Sequence, residues 1–349
     1  MGWSNGYSYR RTITIDHTKC GSADSTSFPM LFSGTYSYLA HTDHSGNVTS
    51  ASGYDIIFTS DASGSTKLDH EIESYDHETG AVVLWVRIPT LAYASDTVIY
   101  LWYGKSSIST SQENKTGVWD SNFQGVWHLG ETSGTTLADS TSNGRTLTKY
   151  DASNPASATG KVGKGIQGDG TNDSATLSTN ISMGTSITVQ AWINHPSATY
   201  SGGAIRNTSS NALAYFGTYC SDSTTDSAKR IVEYKAGWSE WSWPGMTLGQ
   251  WVLVCVTAGN PSKKAYVNGS QLGSTITDAN DRSFSVGTLS IGTTGWDELR
   301  ISSVIRSDSW LTADYNSQNS PSTFYTVGAA DSGLSIPVLA YHCNRRRLQ

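Results

Sequence analysis

Residues 251–256 (WVLVCV) are apolar on both alternating faces, the pattern of a strand covered on both sides. Asn260-Pro261-Ser262 turns the chain and residues 265–267 return it. Asn268-Gly269 then supplies a two-residue turn that needs positive φ at both positions. The first 115 or so residues read as short strands at the spacing of an all-β domain. Residues 9–15 alternate, with Ile13 and Ile15 on one face. Residues 54–59 and 68–75 follow, and residues 81–88 place Val82, Leu84, Val86 and Ile88 on one face. Pro89 stops that strand because proline cannot donate to the ladder, and residues 96–103 complete the set before Gly104. One helix is predicted late in the chain, capped by Ser307, with Trp310, Leu311 and Tyr315 on its apolar face and an end at Asn319-Ser320-Pro321.

The polar, apolar-poor stretch 105–116 reads as a linker. The expectation is an all-β chain of two tandem antiparallel β-sandwiches, at 1–115 and 116–328, followed by a tail at 329–349. The hairpin GQWVLVCVTAGNPSKKAYVNGS and the later WDELRIS resemble the laminin-G-like, concanavalin A-like family. GVWHLGE, ADSTSNGRTL, GKVGKGIQGDGTNDSATL and SITVQAWIN follow that family's order, so the resemblance covers about residues 120–328 and implies a jelly roll. The front half is similar to the DUF2341 family over about residues 3–115, through its YRRTITI, FPML, DIIFT, DHEIE, LWVRIP and IYLWYG motifs. That resemblance implies a sandwich and no established activity.

Composition narrows the function classes. The length of 349 residues suits about two domains. A net charge of −6 argues against a general nucleic-acid binder, because such a surface repels phosphate. The basic run at 345–347 reads as a solvated terminus. No apolar run approaches the ~20 residues of a membrane helix, so no membrane insertion is expected. Met1 leads almost directly into the first strand without a basic or apolar leader, which points away from ordinary export unless a native leader has been replaced. Cys20, Cys220, Cys255 and Cys343 lack metal-ligand spacing. Free thiols are expected, with a Cys220–Cys255 bridge left open.

Several residues carry candidate chemistry. Asp69, Glu71 and Glu73 of DHEIE point to one face of a strand, as paired carboxylates of a glycosidase would. No second acidic strand supports catalysis, so the expectation is a solvated polar face and no enzyme. His128 in WHL reads as a structural histidine. By the laminin-G-like resemblance, Asp139, Asn143 and Asp297 are positions where relatives hold calcium, with Asp169 a weaker addition. A structural Ca²⁺ is the implied cofactor, and the alternative for Asp139 and Asn143 is a loop closed by side-chain-to-backbone bonds. Trp238, Trp241 and Trp243 of GWSEWSWPG are candidate stacking platforms for sugar rings, set against packing in the sandwich.

The functional expectation is a non-catalytic structural or adhesive protein at a virion surface or outside the cell, such as a phage decoration or fibre component with glycan contacts. The alternative is a secreted lectin-like protein or the binding appendage of a glycoside hydrolase. Partners would be glycans, other surface proteins, or copies of the same chain.

Overall fold

The computed structural model describes residues 3, 5–196, 201–206, 215–220, 229–234, 238–277 and 284–332. The structure is two antiparallel sandwiches with a helix between them. In the first sandwich, one sheet runs in the order Tyr325–Ser332, Tyr9–Ile15, Thr97–Tyr103, Ile57–Thr59, Lys67–Leu68. The facing sheet is Ser25–Thr35, Ala81–Leu91, His70–Asp76. The alternation expected for 81–88 holds: Val82, Leu84, Val86 and Ile88 are buried with Phe28, Met30, Phe32 and Phe58.

The outermost strand of that first sheet comes from the far end of the chain. Tyr325–Ser332 pairs with Tyr9–Ile15, from Tyr9 opposite Ser332 to Ile15 opposite Tyr325. The boundary expected at 328 therefore falls inside a strand, and the start of the expected tail completes the first domain. A strand edge left open on Tyr9–Ile15 exposes a row of unpaired N–H and C=O groups, and the returning segment covers it. The remainder of the expected tail, 333–349, lies outside the described residues.

Among the described residues, the second sandwich has two eight-stranded sheets. Gly295–Ser302, Ile187–Asn194 and Trp251–Ala258 lie side by side in one of them, and almost every residue of the three is buried. Residues 251–256 were expected to be covered on both faces, and they are. Val252, Val254 and Val256 pack in the second core, and Cys255 lies in the core that the first sandwich shares with Trp310 and Leu311 of the helix Asp308–Asn319. The helix has buried residues on several faces because both sandwiches flank it. Trp310 packs on Phe28, the Ser317 hydroxyl accepts from Leu31 N at 3.0 Å, and Gln318 accepts from Trp192 Nε1 at 2.7 Å. Its predicted cap is present, with Ser307 Oγ accepting from Trp310 N at 3.2 Å. Asn268 (φ 51°) and Gly269 (φ 73°) form the expected turn between Ser262–Val267 and Ser270–Thr277. Cys20 and Cys255 are free and buried, so the bridge left open between Cys220 and Cys255 is absent.

Candidate functional site between the sandwiches

The strand His70–Asp76 carries the site. Its period of two sends His70 into the first core, against Phe58, and sends Glu71 the other way, toward the second sandwich. Burial pushes the His70 imidazole down to about 4. A bulge then interrupts the ladder: Ile72 faces Leu84 and Ser74 faces Val83, which leaves Glu73 as the extra residue. The expected solvated face is overturned here. The Glu71 side chain is only 2% exposed and that of Glu73 only 8%, because the second sandwich closes over them.

Each carboxylate is held by a tryptophan. Trp119 Nε1 donates to Glu71 at 2.9 Å and Trp85 Nε1 donates to Glu73 at 2.8 Å. Ser140 Oγ also donates to Glu71 at 2.8 Å, and Lys115 Nζ stands 3.2 Å away. His128 lies between the two acids, stacked on the Trp85 ring at 5.8 Å. Its Nε2 is 3.3 Å from Glu71 and its Nδ1 is 3.5 Å from Glu73. That Nδ1 makes its short bond, 2.6 Å, to Glu298. His128 is thus a structural histidine whose partners are charged.

Glu298 reaches this position through a second irregularity. Gln190 pairs with Arg300 and Trp192 with Asp297, so the strand Gly295–Ser302 carries one extra residue there, and Glu298 takes φ 53°. The kink buries two successive acids, Asp297 and Glu298. Arg300 then neutralises Glu298 at 2.8 Å and Asp314 of the helix at 2.9 Å, with its guanidinium 4.3 Å from the centre of the Trp85 ring. Gln190 and Gln318 also donate to Asp314, at 2.7 and 2.8 Å. Residues held at positive φ cluster at functional sites, which makes this buried charged cluster a candidate site.

The electrostatics divide the acids. Burial opposes ionisation of Glu71, yet the charge and hydrogen bond of His128, with Lys115 and Trp119, bring its carboxyl down to about 2. Burial raises Glu73 to about 8, with Glu298 and Glu71 adding to the rise against His128 and Trp85. Burial works against the imidazolium of His128, but Glu298, Glu71 and Glu73 together hold it well above the usual histidine range. Burial and the neighbouring Glu298 keep Asp297 well above the usual carboxylate range.

The cluster opens into a cleft of about 260 Å³ whose lining includes Glu71, Glu73, Lys115, His128, Glu131 and Lys164. The loop that closes one side is GKVGKG. A side chain at Gly163 would put its Cβ 3.0 Å from Glu73 Oε1, and one at Gly160 would lie 2.6 Å from Asp297 Oδ2. Glycine at 163 lets the second sandwich approach Glu73, and glycine at 160 lets the loop close on Asp297 of its own sandwich.

The expected calcium residues already carry hydrogen bonds within the protein. The Asp139 carboxylate already accepts from Val126 N, Thr141 N, Thr141 Oγ1 and Arg145 N at 2.8–3.0 Å, and Asn143 Nδ2 donates to Phe123 O at 3.0 Å. The alternative reading, a loop closed on itself, is what these bonds build. Asp297 is fully buried and accepts from Val162 N at 2.7 Å, and Asp169 accepts from Thr171 N at 2.8 Å. Among the described residues, the groups of three acids or histidines with ligand atoms within 4.8 Å of one another include neither Asp139 nor Asp297.

The tryptophan expectation is also corrected. Trp241 and Trp243 are buried in the second core, and Trp241 Nε1 donates to Ser274 O at 3.1 Å, so neither ring offers an open face to a sugar. The side chain of Trp238 lies outside the described residues. Sequence reasoning missed Glu298, Arg300 and Asp314. The available signal was the E and R of WDELRIS, two charges set in a strand otherwise read as core.

Residues 169–312 match the family described as the concanavalin A-like lectin/glucanases superfamily, and residues 52–149 match a domain of unknown function, DUF2341. The second match crosses the interface and includes Glu71, Glu73, His128 and Ser140. No curated protein matches the chain. Among solved structures, the binding domain of Paraclostridial Mosquitocidal Protein 1 is similar at 13% identity and a TM-score of 0.45, over 56% of this chain and 52% of that one. Domain 4 of AbnA, an extracellular arabinanase from Geobacillus stearothermophilus, is 18% identical with a TM-score of 0.39, over 56% and 98% of the two chains. Trypanosoma rangeli sialidase is 13% identical with a TM-score of 0.43, over 64% and 41%. The chain thus spans about half of the mosquitocidal domain and two fifths of the sialidase. The chain carries a DUF2341 domain followed by a jelly-roll domain of the concanavalin A-like lectin/glucanase superfamily.

Proposed function

We propose that this chain is a non-catalytic carbohydrate-binding protein, and that the cleft between its two sandwiches is where the glycan sits. The observation that carries the reading is the cleft's lining, where the carboxylates of Glu73 and Glu131 stand beside Lys115, His128 and Lys164. A sugar hydroxyl both donates and accepts, so a wall offering acceptors and charged donors side by side suits a polyhydroxylated ligand. The volume, about 260 Å³, is just below the roughly 300–1,000 Å³ of pockets for drug-sized ligands, which suits a short saccharide. The lectin/glucanase match of the second sandwich supports this as an analogy of fold. Support for a non-catalytic reading comes from Glu71, whose carboxylate already accepts from Trp119 and Ser140 and faces Lys115.

The setting that suits such binding is display at a virion surface or outside the cell. Co-sedimentation of the protein with particles, or with cell walls, separates those two. For binding itself, the test is a glycan array with the full chain. Lys164→Ala and Glu131→Gln, both at the cleft's rim, are expected to weaken any glycan found by about tenfold. A wild-type protein that binds no glycan would sink the reading.

One observation favours a second reading, glycoside hydrolysis. Glu73 held up at about 8 beside Glu71 held down at about 2 is the division of an acid and an ionised carboxylate. Release of reducing ends from a polysaccharide, lost in Glu73→Gln with the fold intact, would replace the non-catalytic reading.

A further inference from the structure

We propose that His44, His77 and Glu78 form a surface site for a divalent transition-metal ion of the zinc class on the first sandwich. One imidazole nitrogen from each histidine and one carboxylate oxygen from Glu78 lie within 4.8 Å of one another. A four-coordinate zinc with bonds of about 2.0–2.1 Å sets neighbouring ligand atoms roughly 3.4 Å apart, so small rotations of exposed side chains close the site. Two imidazoles and one carboxylate are the donors of zinc and its neighbours, and a poor set for Ca²⁺ or Mg²⁺, which want oxygen.

The backbone beneath these side chains is already fixed. His44 ends the 3₁₀ turn Thr42–His44, which Ser45 closes with φ 64°. His77 and Glu78 sit in the turn between His70–Asp76 and Ala81–Leu91. The two turns are joined where His41 N donates to His77 O at 2.8 Å. The Asp76 carboxylate accepts from Glu78 N at 2.9 Å and Thr79 Oγ1 at 2.7 Å, which holds the second turn. The His44 and His77 rings meet edge to face at 5.4 Å. His41 is a positioning residue: its Nδ1 accepts from Asp43 N and its Nε2 contacts Thr49 O, both at 3.2 Å.

Two other groups of this kind occur among the described residues, and in both the donor atoms are already engaged from within. In Asp16–His17–Asp96 the imidazole is bonded to Asp96 at 2.6 Å and Asp16 is turned onto Thr18. In Glu73–His128–Glu298 the protein's own Arg300 supplies the cation. No other described residue takes a hydrogen bond from the side chains of His44, His77 or Glu78, or gives one to them, which leaves their lone pairs available to an ion.

Calorimetric titration of the full chain with Zn²⁺ near neutral pH tests the site. One equivalent should bind, and His44→Ala and His77→Ala should each weaken it by at least about tenfold while the circular dichroism spectrum stays unchanged. His17→Ala should leave binding intact, and excess Ca²⁺ should not compete. The proposal is overturned if the wild type binds no zinc, if either His44→Ala or His77→Ala binds as the wild type does, if His17→Ala abolishes binding, or if Ca²⁺ displaces the zinc.

Discussion

The Glu71 carboxylate of the first sandwich accepts the Ser140 hydroxyl of the second at 2.8 Å. The contact adds a buried ion to an interface that is also apolar, where Trp119, Trp310 and Leu311 share a core with Phe28 and Trp85. Around it stand His128, Glu298 and Arg300, so the interface depends on charges that must all be partnered.

Removing one partner should therefore cost far more than an exposed ion pair is worth. Arg300→Leu leaves Glu298 and Asp314 buried without their cation. The expected loss is about 3–5 kcal/mol of unfolding free energy, read from urea denaturation. A change within ordinary surface-mutation range would mean that water or a neighbour compensates.

The interface should also prefer mildly acidic solution. The His128 imidazole titrates higher in the folded state, so its contribution is complete below the ordinary histidine value, 6.5, and is lost as pH rises through the folded value. Glu73, raised to about 8, binds a proton in the folded state that the unfolded chain releases above 4.5, which again lowers stability as pH rises through that window. Glu71, lowered to about 2, works in the opposite sense: its contribution is present above 4.5 and is lost as pH falls toward 2. Melting temperature against pH should peak near 4.5 and fall above it, and Glu73→Gln should flatten the alkaline limb.

The first sandwich should not stand without the end of the chain. Tyr325 is buried, stacks on Phe32 at 5.2 Å, and its hydroxyl accepts from Ser33 N at 3.0 Å. Truncation after residue 318 removes the whole edge strand beside Tyr9–Ile15 and should give a protein that aggregates or lacks a cooperative transition. Tyr325→Ala in the full chain is expected to cost about 3–5 kcal/mol, measured by the same denaturation.

The glycine loop that closes the cleft offers a finer probe. Gly163→Ala, at φ 58° and 3.0 Å from Glu73 Oε1, should lower the melting temperature and weaken glycan binding at the cleft together. Gly184→Ala, where the added Cβ meets nothing within 4 Å, should move neither.

Local pattern accounts for much of the architecture. The alternation at 81–88, the doubly apolar run at 251–256, the Asn268-Gly269 turn and the Ser307 cap each follow from forces acting within a few residues, and each is found where the sequence places it. The site did not follow in the same way. Glu71 and Glu73 sit on a strand whose period of two says only that they share a face. Whether that face meets water or a second domain depends on where residues 115–140 and 298–314 fold back, more than 40 positions away for Glu71's nearest partner in the first group. The two bulges that aim Glu73 and Glu298 are set by strand pairing, and no short-range signal announces them. The burial of Trp241 and Trp243 and the return of Tyr325–Ser332 to the first sheet are of the same kind. Sequence by itself determined the strands, their turns and the two-domain plan, because backbone geometry and side-chain alternation are local. Only the tertiary structure decided which charges are buried together, because burial is a property of surfaces that meet.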